Sequence, residues 1–172
     1  MTTEPAPVDL VRLADGEGNS CVVRVTGRSR PGVLTGHDVL RADVLVSASF
    51  LDARLDVYLF PQDLDAWQEG LPGLVPGRQI GLGGDRGLRL VLRVHEGGLL
   101  TVSIVDPDRL TTLLGIRPEG DWLAELRESA DRVGRTWPVE VVETAPMTYE
   151  WSSRAHRPDG PLASDRVTAR HE

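Results

Sequence analysis

The side chains best suited to proton transfer or metal binding near neutral pH are four histidines, His37, His95, His156 and His171. None stands at the His-x-His or His-x-x-x-His spacing that seeds a zinc site, which needs three or four ligands. His37 beside Asp38 could act as an acid–base pair in principle. Adjacent residues on an extended segment point to opposite sides, however, so the pair reads as a turn with Asp38 capping local backbone. Asp106-Pro107-Asp108 offers two carboxylates to a divalent ion, but at a strand end that pattern is turn chemistry. Gly81-Leu-Gly-Gly-Asp-Arg-Gly87 lacks the third glycine of a dinucleotide fingerprint, with Arg86 in its place. A strand rather than a helix follows, and Asp85 would repel a phosphate. This stretch is expected to be a hairpin turn.

Nucleophile signatures fail as well. No Gly-x-Ser-x-Gly elbow exists, and Ser47 and Ser49 alternate with apolar residues along a strand. All 19 basic residues are arginine. That removes Schiff-base catalysis and the lysine of a phosphate-binding P-loop. Cys21 is the single cysteine, so no internal disulfide forms, and on a strand it reads as a small buried apolar residue. Carboxylates are too numerous for sequence proximity to single out a glycosidase pair. No catalytic, cofactor-binding or metal-binding residue is assigned, no cofactor is expected, and an enzyme is disfavoured.

Charge and aromatics point elsewhere. The chain carries −7, and the tail from Ser152 contributes four arginines against Asp159, Asp165 and Glu172, leaving −8 on residues 1–151. Such a body repels phosphate backbones, which argues against a nucleic-acid partner. Four of the eight aromatic residues are tryptophan. Trp67 and Trp122 fall on apolar helical faces and are expected in the core. Trp137, Tyr149 and Trp151 gather near the end, among Glu140, Glu143 and Glu150. One reading latches this segment over a sheet, with rings buried and their polar atoms wet. The other makes Trp137, Glu140, Glu143, Tyr149 and Trp151 a binding patch for a basic protein.

The elements that must position these residues are legible from period. From Leu40 to Phe60 apolar and polar residues alternate, as in two strands each with one oily face. Leu40, Ala42, Val44, Val46, Ala48 and Phe50 line the first, and Leu55, Val57 and Leu59 the second, joined by Leu51–Arg54. We take this hairpin as the centre of a sheet. Val8–Leu13 and Ser20–Thr26 form another, around Asp15-Gly-Glu-Gly-Asn19, whose pairs accept positive φ. Leu88–Val94 and Leu100–Val105 form a third, and Arg78–Leu82 is a weak strand. Leu110–Ile116 suits a short edge strand or a packed loop, and Val139–Val142 a short extended segment.

Two stretches have helical spacing. Asp63 caps the first, with Leu64, Trp67 and Leu71 on one face; Asp121 caps the second, which ends before Gly134. Residues 1–7 and 152–172 read as disordered, leaving 8–151 as a single domain. No apolar run approaches a membrane span and no secretory signal is present, so a cytoplasmic protein is expected. No internal repeat is convincing, although the chain reads as two hairpin-rich halves, each closed by a helix.

Three segments carry a resemblance: Asp9-Leu-Val-Arg-Leu-Ala-Asp15 with Glu17-Gly-Asn-Ser20, Pro31-Gly-Val-Leu-Thr-Gly-His-Asp38, and Thr136-Trp-Pro-Val-Glu-Val-Val-Glu-Thr144 with Tyr149-Glu-Trp151. Over residues 8–151 the chain resembles an uncharacterised family of small actinobacterial proteins, a domain of unknown function, which implies no activity or site residue. In the order of its elements it is also similar to immunity proteins of wall-associated bacterial toxins. That order is Asp63-Leu64-x-x-Trp67, Leu88–Asp106, Asp121–Val133 and Trp137-Pro138 here.

The expectation is therefore an α+β domain, a twisted, mainly antiparallel sheet of six to eight strands with two short helices. Its expected function is immunity-like or chaperone-like neutralisation of a protein partner, an acidic face steering a basic surface. A small-molecule binder or accessory enzyme in a biosynthetic pathway is the alternative. Self-association through a strand edge such as Arg78–Leu82 is a third possibility.

Overall fold

The structure, a computed structural model, describes residues 4–84 and 87–153. The disorder expected of residues 1–7 and 152–172 falls largely outside the described residues; residues 4–7 carry no regular structure. The first half is a four-stranded antiparallel meander of β1 (Val8–Ala14), β2 (Ser20–Arg28), β3 (Leu40–Ala48) and β4 (Leu51–Leu59), closed by helix α1 (Pro61–Gly70). The second half repeats the plan with β5 (Gln79–Leu82), β6 (Arg89–Val94), β7 (Leu100–Asp106) and β8 (Leu110–Ile116), closed by α2 (Trp122–Thr136). Last comes a separate two-stranded hairpin, β9 (Val141–Ala145) and β10 (Thr148–Trp151). The α+β class and antiparallel pairing stand. A single sheet of six to eight strands does not: the eight strands divide into two sheets of four. The two hairpin-rich halves, each closed by a helix, stand as expected, as a repeat of element order.

The oily faces fall where period two puts them. Cys21, Val23 and Val25 of β2 share one buried face with Leu40, Ala42, Val44 and Val46 of β3 and Leu55, Val57 and Leu59 of β4. In the second sheet Leu90, Leu92 and Val94 meet Leu100, Val102 and Ile104. All belong to one continuous core. In β1 a bulge between Asp9 and Val11 breaks the alternation, so that neighbours Leu10 and Val11 are both buried.

Each helix packs on the half it does not close: α1 runs along β5 and α2 along β1. Gly70 shows how closely α1 approaches, since a Cβ there would stand 2.7 Å from the Ile80 Cδ1. Gln68 donates to Asp131 at 2.8 Å and ties the helices together. Trp67, Leu71, Leu126, Ala130 and Val133 supply the buried faces, and Trp122 is partly buried against them.

Several local expectations shift. Ala48 pairs with Leu51, so the β3–β4 link is the two-residue turn Ser49–Phe50 rather than Leu51–Arg54, and Phe50 is exposed at its tip. Helix α1 starts at Pro61, whose missing N–H costs nothing at that position. Asp63 is therefore its third residue, reaching back to accept the Phe60 N–H at 2.9 Å. Asp121 caps α2 as expected, accepting from the Ala124 N–H at 3.1 Å. The helix continues through Gly134 to Thr136, because Trp137 still finds buried space beyond it. Leu110–Ile116 is an edge strand, and the edge strand β5 has α1 packed beside it.

Trp67 is 0% exposed, and its indole N–H has no hydrogen-bond partner among the described residues. Truncation to alanine should cost about 3–5 kcal/mol in guanidinium unfolding followed by circular dichroism. Phenylalanine should cost clearly less, because it keeps most of the ring volume and removes the unpaired donor.

Candidate functional site

The residues with the most concentrated polar chemistry meet where the β2–β3 loop touches the chain leaving α2. Arg28, the last residue of β2, donates from Nη1 to the Asp38 carboxylate at 2.8 Å and to the His37 carbonyl at 3.1 Å. Its Nη2 donates to the Pro138 carbonyl at 2.7 Å and lies 3.6 Å from the Glu140 carboxylate. Asp38 in turn accepts the backbone N–H groups of Glu140 at 3.1 Å and Val141 at 2.8 Å. Its expected role was to cap local backbone. It caps instead backbone 102 and 103 residues away, which no local pattern could reveal.

His37 completes the latch. Its Nδ1 accepts the Gly32 N–H at 2.8 Å, which puts the proton of the neutral ring on Nε2, 2.7 Å from the Glu140 carboxylate. The Trp151 ring stands edge-on to the imidazole, centroids 4.8 Å apart and planes at 78°. Gly32 sits at φ +81°, a conformation glycine adopts without the strain other residues meet. Both imidazole nitrogens are thus engaged within the protein, and the arrangement holds a segment in place rather than presenting a base to a substrate.

What the latch holds is the hairpin β9–β10. Val141 pairs with Trp151, Val142 with Glu150 and Glu143 with Tyr149, and the Ser152 N–H closes the base by donating to the Glu140 carbonyl at 2.7 Å. At the tip Met147 adopts φ +60°, its N–H donating to the Glu143 carboxylate at 3.0 Å. A non-glycine residue there stores strain. A lone two-stranded hairpin is at best marginally stable in water, so its order depends on the latch.

Of the five residues expected to form a binding patch, Glu140, Glu143, Tyr149 and Trp151 lie on the hairpin and its latch, and Trp137 does not join them. Trp137 is 5% exposed and belongs to the core. Glu140 is bound into the latch. Glu143 and Tyr149 face each other across the strands, Glu143 exposed and Tyr149 half-buried. Trp151 is 44% exposed even with one edge on His37. Sequence reasoning singled out His37 and Asp38 but as a local turn, and it missed Arg28 and the exposed Val139, Val142 and Met147, the last 75% exposed. The one available signal was a run of apolar residues interleaved with glutamates just before the tail.

Other candidates resolve into structural roles. Gly83 lies so near the facing strand that a Cβ would meet the Leu88 carbonyl oxygen at 2.5 Å, which explains glycine in that hairpin turn. Asp85 and Arg86 of the same stretch lie outside the described residues, as do His156 and His171. His95 Nε2 lies 2.7 Å from the Thr101 hydroxyl. Burial pushes the Cys21 thiol up to about 12. Among the described residues no three His, Cys, Asp or Glu side chains converge as a metal site.

Asp106 is turn chemistry, accepting from the Asp108 N–H and from Arg109, which also reaches Asp56 of β4 at 3.1 Å and so joins the sheets. Burial pushes the Asp106 carboxyl upward, but hydrogen bonds from the Arg109 side chain and the Asp108 N–H outweigh it and leave the group below its usual 3.8.

The site therefore defines a class by geometry: a double four-stranded antiparallel fold that holds out a latched C-terminal hairpin. The chain belongs to a family of unknown function (DUF5959), which matches residues 8–138. The match spans both four-stranded sheets and both helices and ends before β9. No curated protein matches the chain, and no solved structure does.

Two outcomes are expected. Asp38→Ala should release the hairpin, seen as rapid amide exchange at Glu140, Val141 and Ser152 while the strands of both sheets stay protected. A carboxyl held below its usual value stabilises the fold fully above that value and loses its contribution as pH falls through the lowered one. The stability gap between wild type and Asp106→Asn, measured by urea unfolding, should thus be present at neutral pH and close in acid.

Proposed function

We propose that this protein is a binding module that recognises another protein through the latched C-terminal hairpin. The observation that carries the reading is the exposure of Val142, Met147 and Trp151 beside Glu143 and Glu150 on a segment already held in one conformation. Large apolar side chains bordered by charge of one sign suit a partner with a basic, partly apolar surface. Because the latch orders the hairpin before binding, less conformational entropy is lost on association. An immunity-like or chaperone-like neutralisation in the cytoplasm, where the hairpin blocks a basic partner sterically, fits this surface. The overall charge of −7 would speed the encounter at low salt.

A second reading, a small-molecule binder or accessory enzyme, has one observation in its favour. An open cleft of about 1530 Å³ runs beside β4, with Arg30, Tyr58, Phe60 and Gln62 on its walls. Tyr58 and Phe60 are both exposed there. A metabolite that raises the melting temperature of wild type but not of Tyr58→Ala would favour it.

The first reading is tested by capture of partners from the native host with immobilised wild-type protein. Trp151→Ala and Met147→Ala should each weaken the captured complex by about tenfold or more in Kd. Asp38→Ala should weaken it too, although it changes no residue of the exposed surface. Failure to recover any protein at either low or high salt would defeat the reading.

A further inference from the structure

The outward faces of the two sheets treat charge differently. On the first sheet most arginines have a carboxylate in reach: Arg24 and Arg12 bind Asp9 at 2.7 and 3.3 Å, and Arg54 binds Asp43 at 2.8 Å. On the second, Arg89 and Arg93 stand on β6 on either side of Val91. Register sets Val91, Arg89 and Arg93 beside Ser103, Val105 and Thr101 of β7, and one strand further, on β8, Leu113 lies beside Ser103 and Thr111 beside Val105. No Asp or Glu among the described residues points outward from these four strands, and neither arginine has an ion pair there. Leu113 is 66% exposed and Val105 is exposed with it. An arginine-flanked aliphatic patch without acids is unexpected in a chain with 26 acidic residues.

The same chain carries a surface of the opposite kind. From Glu140 to Trp151 the sequence holds Glu140, Glu143 and Glu150 and no basic residue. On the hairpin Val142 lies directly opposite Glu150, with Thr144 two residues along the same strand, and all three are exposed. Alternation puts them on the face turned away from the side where Val141 pairs with Trp151 and Trp151 meets His37. That face therefore sets an aliphatic side chain beside a carboxylate, and the sheet sets aliphatic side chains beside arginines, none of them in an ion pair among the described residues. Their lengths also agree: the five residues of β9 span about 17 Å and the six of β6 about 20 Å.

We propose that the hairpin of one copy docks on the outward face of the β5–β8 sheet of a second copy, Val142 meeting the Val91–Leu113 centre and Glu150 the flanking arginines. This rests on the hairpin being the recognition element and names a second copy of the chain as a partner for it. The contact joins two different surfaces, so it propagates head to tail and either closes into a ring or grows as a chain. It engages a sheet face, not the β5 strand edge, beside which α1 already packs.

Sedimentation velocity on the full chain, over a wide concentration range at low and high salt, tests the proposal. Wild type should gain mass with concentration to at least about twice the monomer, and less so at high salt. The double variant Arg89→Glu with Arg93→Glu, and separately Glu150→Arg, should each weaken association by about tenfold or more. Glu150 is the residue to reverse because the Glu143 carboxylate already holds the Met147 N–H at the tip. Mixing the two charge-reversed proteins should restore association, a result that misfolding of either would not give. Wild type that stays monomeric throughout would overturn self-docking, as would association unaffected by the hairpin variant. Capture of a host protein that is lost in Trp151→Ala would, in that event, leave the hairpin's recognition role standing and remove only the second copy as its partner.

Discussion

Each meander offers water one face of leucine, valine and isoleucine, and a four-stranded sheet cannot bury such a face by itself. Placing both faces in one core solves that, and most of the remaining structure follows. Rows such as Val23–Val44–Leu55 and Leu92–Val102–Leu114 must point inward together, which fixes register, because a slip of one residue would turn every oily side chain outward. The helices close the gaps that two twisted sheets leave. Exchanging helices between halves, α1 onto β5 and α2 onto β1, makes each half incomplete without the other.

The latch depends on that frame and works by a different kind of energy. Arg28 and Asp38 are nearly buried, with side chains 11% and 8% exposed. Burying an ion pair gains little unless the remaining donors and acceptors are also met. Here they are met by the His37 and Pro138 carbonyls and by the N–H groups of Glu140 and Val141. Such a network contributes position more than stability. It sets where the chain leaving α2 must run, and it gives a hairpin with little core of its own a defined orientation.

The hairpin then shows outward what a folded chain usually hides. Met147 in a left-handed conformation and a half-exposed Trp151 are costs that stability alone does not explain. The outward face of the second sheet is a comparable departure, with Arg89 and Arg93 in no ion pair among the described residues while most arginines of the first sheet are matched. Both features lie outside the core, and the proposed recognition role rests on them.

Period-two patterning alone determined most of the sheet strands, their inward residues and the pairing of neighbours, since strand periodicity and short turns are local properties. Leu110–Ile116 stayed open between edge strand and loop, Val139–Val142 read only as a short extended segment, and the strand Thr148–Trp151 was not foreseen. Helical spacing likewise placed Trp67 in the core, and Asp121 marked its helix start. Sequence could not divide the strands into two sheets, because that partition is settled by which faces meet rather than by any residue along one strand. Nor could it foresee the latch: the types of His37 and Asp38 were visible, but their partners Glu140 and Val141 come within reach only once both sheets and α2 have folded between them. The same distance explains Trp137 and Trp151, neighbours in composition, of which one fills the core and the other stays in water.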